Sequence, residues 1–335
     1  RIFFEESEED NTWETGNFES RKIFLKNIRR TDPAKAIELL KQALPTENAA
    51  NRLALLEQLD THLSLADEPL LQSLLKDKSQ KVKETALKFL RKIQGSFLNE
   101  SYLAYILAVV SIQEERHLLI TKKKVLIIKK DVLPDEDLLK TGIDKVSSDK
   151  GVPDHIYIIG QMLQYIDPTI LAQHLAVTEP DLIQLFLRHP ESKYLLSFLA
   201  VSASVFKNKS WAFALLNRPE VNNINLLDAL PEAERVPFYE QFIDRNLQQL
   251  LTYLLDDNYT LLPLALSGSL LLHLSKNPYL ITQPVYQRLA LHLPTQVLPQ
   301  LKRYAEDTND EYQHRYFKTQ TFEMMRLIDI KNNLH

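Results

Sequence analysis

The sequence has no cysteine, little glycine and no long hydrophobic run. The absence of cysteine among 335 residues excludes disulfides, thiolate zinc sites and cysteine nucleophiles. The six glycines stand singly, so the glycine-rich motifs that bind dinucleotides or cradle phosphates cannot be formed. The longest apolar stretches, Tyr102–Ile112 and Leu261–Leu274, are shorter than the roughly 20 residues that a transmembrane helix needs. We interpret both stretches as buried helices.

The sequence also lacks a strong excess of either charge. Its 40 basic and 44 acidic side chains leave a net charge of −4, so the chain as a whole is not suited to nucleic acid or an anionic membrane. The 44% hydrophobic and 25% charged residues are typical of a soluble globular protein. At roughly 150 residues per domain, the length predicts about two domains. We expect a cytoplasmic protein, although the chain begins at Arg1 and a targeting segment before it would be missing.

Most of the chain has the apolar spacing of helices. Apolar residues recur every three or four positions in Asn48–Leu63, Ser79–Gly95 and Phe238–Leu255, which predicts an apolar stripe on each helix. Ser79 is placed to cap the second of them. Prolines beside acidic residues mark further helix starts, because proline is tolerated in the first turn. These prolines, and Pro190 after His189, predict short antiparallel helices that begin at Asp32-Pro33, Asp67-Glu68-Pro69, Asp167-Pro168, Glu179-Pro180 and His189-Pro190.

One segment departs from the helical pattern. Lys122–Lys130 contains the run Val125–Ile128, which predicts a short strand or an extended connector. The residues that follow, 131–151, are rich in Asp, Lys, Ser and Gly and favour a loop or hinge. We therefore predict three regions, which are an N-terminal HEAT-like helical array at 1–130, a loop or hinge at 131–152 and a C-terminal helical array at 153–335.

The segment Asp77–Leu90 resembles the second helix of a HEAT repeat. In that family the pattern Asp-x4-Val-Arg-x2-Ala-x3-Leu places three apolar side chains in the core between repeats, and here they are Val82, Ala86 and Leu90. Lys83 replaces the arginine and lacks its planar guanidinium. The resemblance implies an all-α fold, an α-solenoid of HEAT/armadillo-like helix pairs whose concave surface holds another macromolecule. Two compact helical bundles are the alternative.

Motifs along the first half of the chain carry a wider resemblance. They are Trp13-x2-Gly16-x4-Arg21, Arg30-Thr31-Asp32-Pro33, Glu47-x4-Arg52, Asp67-Glu68-Pro69-Leu70-Leu71, Asp77–Leu90, Gly95-Ser96, Thr141-Gly142-Ile143 and Leu163-x2-Ile166-Asp167-Pro168. Together they resemble a bacterial family of unknown function, family 5691, with HEAT-like helical repeats. The resemblance implies no assigned activity. It implies a genomic neighbourhood of MoxR-type ATPases, von Willebrand A-domain proteins and SWIM zinc-finger proteins.

Basic residues on the predicted helix at Ser79–Gly95 are the candidate partner-binding residues. At 100° per residue, Lys81, Lys88 and Lys92 lie within about 40° of one another, opposite the apolar stripe. Arg91 lies beside them. With the lysines of Lys122–Lys130, this face suits an acidic protein surface or a phosphate backbone. A solvated helix face is the alternative interpretation.

The two tryptophans are predicted to have packing roles. Trp211 follows Ser210 and begins an apolar helix, which favours burial. Trp13 follows the acidic segment Glu5–Asp10, and we expect it to anchor the first helix.

No motif indicates catalysis, a cofactor or a metal. The His-Glu-x-x-His and Gly-x-Ser-x-Gly motifs are absent, and Asp310 with His314 fits an ordinary helical pair. We therefore predict a non-catalytic protein-interaction scaffold or adaptor, linked by the family resemblance to a MoxR-type ATPase and von Willebrand A-domain system. A nucleic-acid-binding or repair protein that uses the same basic face is the alternative. An enzyme is a third hypothesis, which requires a polar pocket with strongly shifted pKa values.

Overall fold

The computed structural model describes residues 12–117, 121–255, 259–308 and 311–333. Over these ranges the chain is helical apart from one antiparallel two-stranded ribbon. The predicted all-α fold class is confirmed, and the arrangement of the helices as a solenoid stays a prediction. Residues 5–10 of the acidic segment and Asp310 of the predicted helical pair lie outside the described residues.

The chain divides into two compact units, Arg1–Trp211 and Ala212–His335. This division lies at a different place in the sequence from the predicted loop or hinge at 131–152, and the predicted three regions stay a prediction. Within 131–152 the structure has one short helix, Glu136–Lys140.

Short helices build the first unit, and neighbours in sequence pack together. The helices are α1 (Phe18–Thr31), α2 (Pro33–Ala43), α3 (Ala49–Leu56), α4 (Glu68–Leu74), α5 (Gln80–Lys92), α6 (Phe97–Val109), α7 (Glu136–Lys140), α8 (Asp154–Leu163), α9 (Pro168–His174), α10 (Glu179–Arg188), α11 (Leu195–Val205) and α12 (Lys209–Leu216), the last of which ends in the second unit. Helix α1 packs on α2, α4 packs on α5, and α5 packs on α6.

Side-chain caps determine where several of these helices begin. Asn17, Asp32 and Ser96 each accept a hydrogen bond from a backbone N–H in the first turn of α1, α2 and α6. Proline occupies the first turn of α2, α4, α9 and α10, as the sequence predicts. The prediction for Pro190 is wrong, because Pro190 lies in a turn and a 3-10 turn, Ser192–Tyr194, separates it from α11. The predicted cap of Ser79 is wrong, because its side chain makes no capping hydrogen bond. Its backbone N–H instead donates to the carboxylate of Asp77 over 2.7 Å.

The apolar stripe predicted on α5 faces the interior of the first unit. Val82, Ala86, Phe89 and Leu90 are buried, and α5 packs against α3, α4 and α6. Burial of a valine, leucine or phenylalanine side chain contributes about 1.5–3 kcal/mol each. The stripe therefore explains why α5 is stable between its neighbours although one of its faces is rich in lysine.

Both tryptophans lie against neighbouring side chains. Trp211 is 1% exposed, and its Nε1 donates to Oγ1 of Thr169 over 3.0 Å, so its predicted burial is confirmed. The ring of Trp13 lies 6.0 Å from that of Phe24 in α1. Trp13 thus packs its turn of helix against α1, as predicted.

The interpretation of Tyr102–Ile112 as one buried helix is wrong at its end. Helix α6 ends at Val109, and β1 (Val110–His117) pairs in antiparallel fashion with β2 (Thr121–Ile128). Val110 faces Ile128 in the register, and both side chains are buried. Of the two alternatives predicted for Val125–Ile128, a short strand or an extended connector, the structure has the strand. The backbone of β1 is extended because it is hydrogen-bonded to β2. An apolar pattern within Tyr102–Ile112 does not reveal this pairing.

The second unit is also helical. Its helix α13 (Glu232–Leu254) is kinked at Asn246 (φ −160°, ψ 74°). Oδ1 of Asn246 accepts a hydrogen bond from the backbone N–H of Gln249 over 3.1 Å and so caps the second half of the helix. Helix α14 starts after Pro263, so the predicted buried helix at Leu261–Leu274 begins three residues late. The last helix packs on the two before it. The bounds are α13 (Glu232–Leu254), α14 (Leu264–Lys276), α15 (Gln283–His292), α16 (Leu298–Ala305) and α17 (Tyr312–Asn333).

Candidate partner-binding surface

Residues that carry the family resemblance form a connected polar network in the first unit. The guanidinium of Arg21 lies 4.7 Å from the ring centre of Trp13, and its Nη1 is 2.6 Å from Oε1 of Glu47. The other oxygen of Glu47 accepts the side-chain amide of Asn51 over 2.8 Å. The hydrogen bonds from Asn51 and Arg21 lower the pKa of the Glu47 carboxyl, against the opposing effect of burial. The network thus holds Glu47 ionised and fixes Trp13 and α1 to the turn before α3.

The network continues to the turn before α5 through Arg52. This side chain donates from Nη1 to the backbone oxygen of Glu47 over 2.8 Å and from Nη2 to Oδ1 of Asp77 over 2.9 Å. Burial opposes ionisation of Asp77, but hydrogen bonds from Arg52 and from the backbone N–H of Ser79 outweigh it and lower the pKa. Arg52 therefore joins the turns before α3 and α5.

A cleft with four cationic side chains opens beside the Arg52–Asp77 pair, and we call it the basic cleft. Its volume is about 430 Å³. Its cations are Lys41, Arg52, Lys76 and Lys78, and Asp77 is its one carboxylate. The remaining lining residues are Leu44, Pro45, Leu70, Ser73 and Leu74. The basic cleft thus combines a cationic rim with an apolar wall.

Two of the four cations in the basic cleft have an acidic partner. Arg52 is held by Asp77, and Lys41 lies 2.8 Å from Glu38. Lys76 and Lys78 are exposed and form no hydrogen bond or ion pair within the described part of the chain. These two ammonium groups are free to meet an anion from outside.

The four residues predicted to bind a partner lie in different environments along α5. Lys81 and Lys88 are exposed and make no ion pair with any described residue. Lys92 is 3.1 Å from Oδ1 of Asp60. Arg91 is half-buried, and its guanidinium lies 5.6 Å from the ring centre of Tyr165. Their role in binding stays a prediction, which the free charge of Lys81 and Lys88 suits best.

Two of the four lysines in Lys122–Lys130 whose side chains the structure describes are engaged within the first unit. Lys124 donates to the backbone oxygen of Ala176 over 3.1 Å, and Lys130 lies 2.7 Å from Oε1 of Glu191. Nε2 of His155 lies 3.1 Å from the other oxygen of Glu191. The hydrogen bond from Lys130 is the main cause that lowers the pKa of Glu191. These contacts fix β2 and the residues after it to the turns on either side of α10.

Sequence reasoning missed the residues of the basic cleft, although one signal was present. Lys76 and Lys78 flank Asp77, the first residue of the HEAT-like pattern. Because the carboxylate of Asp77 forms its ion pair with a distant arginine, it does not pair with the two lysines beside it in sequence. The pairing of Asp77 with Arg52, 25 positions earlier, is visible only in the tertiary structure.

A second cleft, of about 750 Å³, lies in the second unit. On its wall, the hydroxyl of Tyr253 donates to Oδ1 of Asp228 over 2.7 Å and accepts from Nη1 of Arg235 over 3.2 Å. Burial raises the pKa of Tyr253, and the hydrogen bond to Asp228 raises it further. The phenol therefore stays protonated and is not activated as a base or nucleophile.

The described residues contain neither a cluster of metal-ligating side chains nor a helix that could cross a membrane. No three His, Asp or Glu side chains among them are grouped to hold a metal ion. No helix in the same ranges has the length and apolar character that crossing a membrane requires.

Comparison with known proteins places the chain in a family. No curated protein and no solved structure matches it. The model of a family of unknown function, DUF5691, matches residues 4–335. This is the family that the motifs at Trp13, Arg21, Glu47 and Arg52 resemble, and those residues are joined in the polar network described above. The chain belongs to DUF5691.

Proposed function

We propose that this chain is a non-catalytic scaffold or adaptor that holds an acidic segment of another protein in the basic cleft and along the adjoining face of α5. One observation carries the proposal. Lys76, Lys78, Lys81 and Lys88 are exposed, have no ion pair within the described residues, and follow one another through the turn before α5 and along that helix. Clustered unpaired cations attract a carboxylate-rich partner and speed its association.

The lining of the basic cleft favours a protein over a nucleic acid. Leu44, Pro45, Leu70 and Leu74 form an apolar wall beside the lysines, and apolar side chains of a peptide can pack there while its carboxylates meet the ammonium groups. Nucleic-acid binding relies mainly on phosphate contacts, which an apolar wall does not provide.

The family resemblance indicates which classes of protein to test first as partners. A MoxR-type ATPase or a von Willebrand A-domain protein encoded near the same gene is the first candidate. The solenoid arrangement is part of the same proposal. The burial of Val82, Ala86 and Leu90 at the positions of the HEAT pattern supports it.

The test uses a fluorescein-labelled acidic peptide of mixed glutamate and leucine, followed by fluorescence anisotropy at low ionic strength. We expect saturable binding that weakens at least about 10-fold in the double variant Lys76→Glu/Lys78→Glu and weakens steeply as salt rises. The matched control is Lys150→Glu/Lys302→Glu, which makes the same charge change at two exposed lysines outside the basic cleft. We expect it to keep most of the affinity.

Three results would overturn the proposal. The first is equal loss of affinity in the cleft variant and in the control, and the second is no binding of the peptide by the wild-type chain. The third is tighter binding of duplex DNA than of the peptide, abolished by the cleft variant, which would establish the nucleic-acid alternative. Capture of a MoxR-type or von Willebrand A-domain partner by the wild-type chain and not by the cleft variant would extend the proposal to the pathway.

A further inference from the structure

The turn after α10 is held by a histidine that accepts two backbone hydrogen bonds. Nδ1 of His189 accepts the N–H of Glu191 over 3.3 Å and the N–H of Ser192 over 3.2 Å. Ser192 is buried, and its hydroxyl donates to the backbone oxygen of Phe186 in α10 over 2.9 Å. Since Ser192–Tyr194 leads directly into α11, His189 serves as the acceptor that a capping Asp or Asn side chain supplies elsewhere.

Only the neutral imidazole of His189 can hold this turn. An acceptor at Nδ1 is an unprotonated nitrogen, so the ring carries its proton on Nε2. A proton added to Nδ1 converts the acceptor into a donor that faces two other donors. Protonation of His189 therefore removes both backbone hydrogen bonds at once.

The surroundings of His189 disfavour its charged form. Burial is the largest cause that lowers the pKa of His189. The carboxylate of Glu191, in the same turn, raises this pKa, whereas Lys130 after β2 and His155 of α8 lower it. Helix α11, which also packs on the turn, has no charged residue. The folded chain thus keeps the ring neutral until the solution becomes acidic.

The same turn holds the residue that follows β2 by two positions. Oε1 of Glu191 lies 2.7 Å from Nζ of Lys130, and its Oε2 lies 3.1 Å from Nε2 of His155. The backbone N–H of Glu191 is one of the two groups bonded to His189. The position of this carboxylate therefore depends on the neutral imidazole, and loss of the two hydrogen bonds loosens its hold on Lys130.

We propose that His189 is an acid-sensitive switch: its neutral ring closes the turn between α10 and α11, and its protonation opens this turn and releases Lys130 from Glu191. The inference is independent of the proposed function, because none of these residues lines the basic cleft. Opening adds an unpaired cation beside the lysines of β2.

Acid is the condition that opens the turn. Because the folded chain lowers the pKa of His189, the neutral ring stabilises the fold fully above the pKa of the unfolded chain, about 6.5. This stabilisation is lost as the pH falls through the lower folded-state pKa. The turn is therefore closed at neutral pH and opens in acid.

The test is amide hydrogen exchange of the whole chain, followed by mass spectrometry at about pH 7.5 and about pH 5. After correction for intrinsic exchange rates, we expect the protection of residues 189–194 to fall at least about 10-fold in acid. Protection of residues 128–131, at the end of β2, should fall with it, because Lys130 loses its fixed partner.

His189→Asn is the variant that removes titration and keeps an acceptor. The side-chain oxygen of asparagine accepts N–H groups without binding a proton, so protection of the turn should change less than about 2-fold between the two pH values. The matched control is His174→Asn, which replaces an exposed histidine at the end of α9 and should keep the loss seen in the wild-type chain.

Three results of the exchange experiment would count against the switch. Equal acid-dependent loss in the wild-type chain and in His189→Asn would overturn it, as would a wild-type turn that stays protected in acid. Unchanged protection of residues 128–131 would overturn the coupling to Lys130.

A second readout uses the wild-type chain alone. Nuclear magnetic resonance of isotope-labelled histidine distinguishes a ring nitrogen that carries a proton from one that does not. We expect Nδ1 of His189 to lack a proton at neutral pH and to gain one over the pH range in which the turn loses protection. A ring protonated at Nδ1 while the turn stays closed would overturn the inference.

Discussion

Arg29 and Asp67 form an ion pair that is wholly withdrawn from solvent. Nη2 of Arg29 lies 2.5 Å from Oδ2 of Asp67, and both side chains are 0% exposed. The same guanidinium donates to the backbone oxygens of Thr61 and His62 over 2.8 and 2.9 Å. One arginine of α1 therefore organises both the turn after α3 and the residue that precedes α4.

Removal of Asp67 should destabilise the chain strongly. Asp67→Ala leaves a guanidinium buried without its counter-charge, a change that typically costs about 3–5 kcal/mol. We expect the midpoint of urea unfolding to fall accordingly. Asp60→Ala is the control, because Asp60 pairs with Lys92 at the surface and such pairs contribute about 0–1 kcal/mol. Similar losses in the two variants would contradict the importance of the buried pair.

Acid should weaken the polar network around Glu47. Because the folded chain lowers the pKa of Glu47, its ionised form stabilises the fold above the pKa of the unfolded chain, about 4.3. This stabilisation is lost as the pH falls through the lower folded-state pKa. We expect the difference in unfolding free energy between the wild-type chain and Glu47→Gln to shrink as the pH is lowered from about 6 to about 3.

The asparagine beside Glu47 provides the check on this pH dependence. Asn51 donates the hydrogen bond that lowers the pKa of Glu47 most, so Asn51→Ala should move the acid-dependent loss to higher pH. Urea unfolding at several pH values measures the shift. Superimposable profiles for the wild-type chain and Asn51→Ala would show that this hydrogen bond has no such effect.

A methyl group at Gly142 should be less well tolerated than one at Gly95. Both glycines have a positive φ, +88° and +78°, so alanine is strained at either site by about 1 kcal/mol. At Gly95 the added Cβ would meet nothing within 4 Å, whereas at Gly142 it would lie 2.7 Å from Nη2 of Arg91. We expect a larger fall in unfolding free energy for Gly142→Ala than for Gly95→Ala, and equal falls would argue against a fixed Arg91.

The kink of α13 depends on a cap at Asn246. Because its Oδ1 accepts the backbone N–H of Gln249, Asn246→Ala should reduce stability by about 1 kcal/mol. Asn246→Asp retains an oxygen in the same place and should cost less than about 0.5 kcal/mol. Thermal unfolding followed by circular dichroism compares the two variants, and an Ala variant as stable as the Asp variant would rule out the cap.

Local features of the structure were predictable because their causes lie within a few residues. Asp32 caps α2 beside Pro33, and the stripe of Val82, Ala86 and Leu90 is buried, since capping and helical periodicity are short-range properties. The strand at Val125–Ile128 was visible for the same reason. Its partner β1 was not, because extension of Val110 depends on pairing with Ile128 across the ribbon.

The candidate surface shows the same division. The sequence by itself determined that lysines share one face of α5 and that short capped helices would bury their apolar stripes. Only the tertiary structure decided that Lys92 pairs with Asp60 and that the guanidinium of Arg91 lies over the ring of Tyr165. It also decided that Asp77 pairs with Arg52, which leaves Lys76 and Lys78 without an ion pair among the described residues. The reason is physical: the strength of an ion pair depends on the distance and solvent exposure of two groups, and both are properties of chain packing rather than of sequence order.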